Sequence, residues 1–140
     1  MDGRTMQVGC VEAIEELVAK PPHSNARPEL CISAVDTFAN VSLHMNGAGQ
    51  VVCHDCTVRT KVDTQEPVRI SAKDDGNGGI DVLYLQDEAW LLNGIRAGAK
   101  RVAVEPELYQ AGYPVIWFDV AGLNFAKLDL PEKDTPMPTP

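Results

Sequence analysis

The sequence predicts an α+β domain dominated by β-strands, a small sandwich or half-barrel with an N-terminal helix and one inserted helix. Three observations carry this reading. Between residues 31 and 120, several segments alternate apolar and polar residues with the period of two of a half-buried strand. Clusters of Gly, Asn and Asp separate those segments at turn positions. Only two stretches show the longer period of an amphipathic helix.

The first of these covers residues 8–20. Val11, Ile14, Leu17 and Val18 recur at helical spacing while Glu12, Glu15 and Glu16 take the wet face. Pro21 and Pro22 end it, because neither can donate a backbone hydrogen bond. After a loop over 23–28, a strand is expected over 31–35. Val41, Leu43 and Met45 then alternate with Ser42 and His44. The turn over 46–49 holds two glycines available for positive φ.

From Cys56 the alternation resumes. Cys56, Val58, Thr60 and Val62 share one face, and Thr57, Arg59 and Lys61 the other. Val68, Ile70 and Ala72 make a short strand, residues 74–79 a glycine-rich turn, and residues 80–85 an apolar strand. Asp87 is placed to cap a helix over 88–96, whose Trp90, Leu91 and Ile95 face the core and which Gly98 stops. Strands over 101–105 and 114–120 follow, joined by a turn around Ala111 and Gly112, with Gly122 offering a bend after the last. One globular domain over 1–130 is expected, and a disordered proline-rich tail over 131–140.

The 140 residues are 44% hydrophobic, enough for a single core and too apolar for a disordered chain. The formal charge is −8, whereas duplex-binding domains are basic, so no nucleic-acid partner is expected. No window approaches the roughly 20 apolar residues of a membrane-spanning helix, and none inserts into a bilayer by this criterion. The N-terminus has neither the cationic start nor the apolar run of a secretory signal. The location stays open between the cytoplasm and, if a signal precedes the sequence, the bacterial envelope.

Chemistry concentrates in Cys53-His54-Asp55-Cys56. With Cys10 and Cys31 the cysteines number four, which allows three pairings. In an oxidising compartment Cys10–Cys31 with Cys53–Cys56 is the expected set. The first link would tie the N-terminal helix to the sheet and contribute about 3 kcal/mol by chain entropy. In a reducing compartment the thiols stay free, or zinc takes Cys53 and Cys56 as half of a tetrahedral site completed by Cys10, Cys31, His44 or His54. A redox pair would belong at a helix N-terminus, and this segment sits among strands.

Catalytic patterns fail on geometry. Cys53, His54 and Asp55 are neighbours along a strand and alternate between its faces, so they make no triad. His23 and His44 would have to supply a base from elsewhere. The run from Asp74 lacks calcium-loop spacing, since its twelfth position is Leu85. Asp63, Asp81, Asp87 and Asp119 are acids with nothing in the sequence to pair them. No catalytic residue and no cofactor are therefore expected.

A family pattern runs through the second half. It consists of Cys56-Thr57-Val58-Arg59-Thr60-Lys61-Val62-Asp63, then Leu91, Val102-Ala103-Val104, Tyr109-Gln110-Ala111-Gly112, and Phe118-Asp119-Val120-Ala121-Gly122-Leu123. In this order the segments resemble the second half of small proteobacterial envelope proteins of the VasI/TagO type, accessory to type VI secretion, and related exported or phage-borne proteins. The resemblance implies a sandwich-like β fold and carries over no catalytic residue. It leads to the expectation of a non-enzymatic accessory module acting by protein–protein contact, at the envelope or in a phage–host setting. A strand edge or the Trp117 region is the expected contact surface, and a homodimer is admitted. The alternatives are an intracellular zinc-stabilised module using Cys53 and Cys56, and an enzyme on a sandwich scaffold.

Overall fold

The computed structural model describes residues 7–18, 25–35, 38–53, 55–74, 81–86, 88–109 and 111–121. The expected Asp87 cap, the glycine-rich turn past Asp74, the Gly122 bend and the 131–140 tail lie outside these residues. The elements are β1 (Gln7–Glu12), β2 (Glu29–Val35), β3 (Phe38–His44), β4 (Asp55–Val62), β5 (Val68–Lys73), β6 (Val82–Leu85), α1 (Glu88–Arg96), β7 (Arg101–Glu105) and β8 (Ile116–Asp119).

The strands form one antiparallel sheet in the order β1-β2-β3-β6-β5-β4-β7-β8. Its two outer strands meet. Ala13, just past β1, bridges Phe118 of β8, and the Ile14 N–H donates to the Trp117 carbonyl at 2.9 Å. The sheet is thereby rolled into a nearly closed barrel, the half-barrel form of the expected β-dominated fold. Strand edges are a liability that closure removes.

Alternation decides which residues fill the barrel. Leu30 and Ile32, Val41 and Leu43, Val58, Thr60 and Val62, Val68 and Ile70, Leu83 and Leu85, Val102 and Val104, Ile116 and Phe118 all point inward and are buried. Each fully buried Leu, Ile, Val or Phe of this set contributes about 1.5–3 kcal/mol of transfer free energy. Thr60 is the polar member of this interior set. Its hydroxyl donates to the Val68 carbonyl at 2.9 Å, so no donor is left unsatisfied there. The inserted helix carries the chain from β6 past β5 and β4 to β7, and its Trp90, Leu91, Leu92 and Ile95 join the same core. Gly98 ends it at φ +106°, the left-handed conformation that suits glycine at a helix C-terminus.

The N-terminal helix expected over 8–20 is corrected to a strand. Along β1 the period is two: Cys10 and Glu12 face solvent, while Val11 and Ala13 face the barrel. The helical spacing of Val11, Ile14, Leu17 and Val18 is incidental, and Val18 is 79% exposed. The segment's β-branched residues and Gly9 weaken a helix, and pairing with β2 along its whole length outweighs the local pattern. Strand boundaries also shift, β2 starting at Glu29, β6 at Val82, and β8 spanning Ile116–Asp119.

Candidate binding cleft

The acidic residues that sequence reasoning singled out are engaged by backbone. Asp63 sits at the end of β4 with φ +49°, and its Oδ1 accepts from the N–H groups of Lys100 at 3.0 Å and Arg101 at 2.8 Å. Asp81 Oδ1 accepts from the Gly47 N–H at 3.2 Å, and Asp119 Oδ1 from the Ala121 N–H at 3.1 Å. These carboxylates close turns and lie on separate elements. Asp87, His23 and His54 fall outside the described residues.

The cysteines pair as Cys10–Cys31 and Cys53–Cys56. Cys10 and Cys31 are direct partners in the β1–β2 register with Cα atoms 4.1 Å apart, so this link staples adjacent strands rather than a helix to a sheet. Glu29 Oε lies within 4.8 Å of both sulfurs, which makes a three-donor group of Cys10, Glu29 and Cys31. Their sulfurs are bonded to each other, and zinc binds the thiolate. The same holds at Cys53 and Cys56. His44 lies on the outer face of β3, its Nε2 2.9 Å from the Ser42 hydroxyl. Two disulfides persist in an oxidising environment.

The Cys53–Cys56 link forms part of the wall of a cavity of about 360 Å³. Its lining combines Thr57 and Arg59, which project from the outer face of β4, with the buried Val58 and Leu83, and is flanked by Arg69 of β5 and Glu105 of β7. One row of the sheet puts Arg69 opposite Arg59 and Arg59 opposite Glu105. Arg59 Nε is 3.6 Å from Glu105 Oε2, and both side chains reach solvent. That is longer than the roughly 2.7–2.9 Å of a charge-assisted hydrogen bond, so the pair is loose. Among the described residues Arg69 has no ion-pair partner.

The far rim is built from two loops zipped together. The Val52 N–H donates to the Glu107 carbonyl and the Tyr109 N–H to the Gln50 carbonyl, each at 2.9 Å, and Val51 bridges Leu108. Gly112, with φ +72°, turns the chain back so that its carbonyl accepts from the Leu108 N–H at 2.8 Å. The turn leaves Val52 41%, Tyr109 57% and Tyr113 68% exposed. Val52 and Tyr113 line the cavity.

Trp117, whose region is one of the two expected contact surfaces, is half-buried. It lines a smaller cavity of about 180 Å³ at the seam, with Leu17, Arg101 and Val115. Sequence reasoning put Arg59 on the outer face of its strand and assigned Arg69 and Tyr113 no role. Alternation makes both arginines outward, but their juxtaposition depends on which strands pair, and Tyr113 reaches the cleft through the loop contact with residues 50–52. Comparison with protein-family models, with curated proteins and with solved structures finds no match to this chain.

Proposed function

We propose that this protein is a non-enzymatic binding module that works through protein–protein contact in an oxidising compartment, at the bacterial envelope or in a phage–host setting. The observation that supports it most is the rim of the cleft, where Val52 and Tyr113 stand exposed beside two arginines, with the exposed Tyr109 in the same loop as Tyr113. Tyr and Arg are the side chains that most often anchor protein interfaces, because each brings a large contact area and a polar tip. The carboxylates of Asp63, Asp81 and Asp119 are bound to backbone N–H groups. The sequence resemblance to VasI/TagO-type envelope proteins supports the same reading, and the two disulfides fit an exported location.

The test is proximity cross-linking in the native host with the wild-type chain and with Tyr113→Ser combined with Val52→Ser. Both side chains are exposed, so the double variant should fold, and its far-ultraviolet circular dichroism should match the wild type. We expect a discrete cross-linked partner that the variant loses by about tenfold, as for an anchor contributing about 1.4 kcal/mol. Equal recovery by wild type and variant overturns the reading. So does turnover by the purified chain in a hydrolase screen.

A further inference from the structure

We infer that the outer face of the β4–β5 ribbon, together with the cleft beside Cys53–Cys56, docks an acidic segment of a partner protein, with Arg69 as its principal charge contact. This rests on the binding-module reading and names the chemistry of the occupant.

Charge is segregated on the barrel. The chain carries 20 acidic and 12 basic residues, yet the outward positions of β4 and β5 include Arg59, Lys61, Arg69 and Lys73. The one acid within these two strands is Asp55, at the end of β4. A basic ribbon on an acidic protein costs self-repulsion between its own charges, most acutely where Arg59 and Arg69 stand directly opposite each other. Opposed side chains on neighbouring strands have Cβ atoms about 4.5–5.5 Å apart, and like charges at that spacing destabilise a sheet. A carboxylate set between the two guanidinium groups relieves that repulsion. Arg59 Nε lies 3.6 Å from Glu105 Oε2 and its side chain is about half exposed, so its five-donor guanidinium can form the second half of such a clamp.

The cleft also has a direction. Arg69 marks its β5 side, and Glu105 and Glu107 its opposite side on β7 and the loop after it. A segment lying across it would place an acid over the arginines and a basic or neutral residue toward Glu107. An apolar side chain of the same segment would meet Val52 and Tyr113. The occupant is therefore an acidic peptide with an apolar anchor, rather than a small anion, which would use the arginines and leave the rim uncovered.

The experiment is selection of random dodecapeptides displayed on phage against the immobilised, oxidised full chain, run beside Arg69→Glu and Arg27→Glu. The two variants change net charge equally, but Arg27 is exposed away from the ribbon. We expect Asp and Glu to be enriched severalfold for the wild type and for Arg27→Glu, and Lys and Arg to be enriched instead for Arg69→Glu. Acidic enrichment that survives Arg69→Glu, or that Arg27→Glu abolishes equally, overturns the inference. Peptides without acidic bias whose binding is lost in Tyr113→Ser overturn the acidic occupant while keeping the binding module. No enrichment over the bare matrix overturns both. Self-association of the wild type that Arg69→Glu removes would make the occupant a second copy and overturn the foreign segment.

Discussion

Asp63 shows how a single side chain is committed by the turn it occupies. Its φ of +49° is a left-handed conformation that Asp and Asn tolerate better than other side chains. From there Oδ1 satisfies two backbone donors, Lys100 and Arg101, at the start of β7. Its own N–H donates to the Arg101 carbonyl at 2.9 Å, so three bonds tie the end of β4 to β7. Asp63→Ala removes the acceptor and keeps the unfavourable φ, and should cost about 1–3 kcal/mol by leaving N–H groups without their partner. Asp63→Asn retains an acceptor oxygen and the tolerance for positive φ, and should cost far less. Urea unfolding of the two variants checks this, and equal losses would show that charge rather than geometry matters at this turn. The role was not legible in the sequence, because the donors lie 37 and 38 positions away. An isolated acid at a strand end reads equally as a catalytic candidate until the pairing of β4 with β7 is known.

Among the elements, those with strong internal patterns were legible and the weakly patterned one was not. The helix Glu88–Arg96 and the strand Arg101–Glu105 match the sequence expectation residue for residue, since each has its own period and its own terminator. The first strand has no such signal. Its inward positions Gly9, Val11 and Ala13 are small, and its conformation is imposed by β2 on one side and the Phe118 contact just beyond it. Gly94 offers a test of how far local propensity governs α1. It sits inside the helix, and a Cβ added there would meet the Val62 methyl at 3.4 Å, an ordinary van der Waals contact. Gly94→Ala should therefore stabilise the protein by up to about 1 kcal/mol, the helix-interior advantage of Ala over Gly. The measurement is the thermal midpoint, which should rise by a few degrees. A fall would mean that α1 and β4 are packed too tightly at this point to admit a methyl group.

At the scale of the whole molecule, the barrel depends on a seam that neither disulfide crosses. Cys10–Cys31 holds β1 to β2, and Cys53–Cys56 closes a turn beside β4, whereas β1 meets β8 through the Ala13–Phe118 bridge and the Ile14–Trp117 hydrogen bond. The seam still depends on the first disulfide, because β1 presents Ala13 and Ile14 to β8 only while it stays docked on β2. The loops enclosed are unequal, with sequence separations of 21 and 3. In the chain-entropy model the longer loop contributes about 3 kcal/mol and the shorter about 2 kcal/mol, the latter a stiff loop for which the relation is weakest. Replacing Cys10 and Cys31 by Ser should therefore lower the unfolding free energy more than replacing Cys53 and Cys56. It should also act locally, speeding amide exchange at Ile14 beyond that at Ile32 and Leu43, whose strands are paired on both sides. Native-state hydrogen exchange distinguishes the two effects: a uniform acceleration would report global destabilisation alone, and a selective one at Ile14 would report opening of the seam. In the second case the edge of β8 and the Trp117 cavity become accessible when the first disulfide is reduced, which links the redox state of Cys10 and Cys31 to the closure of the barrel between β1 and β8.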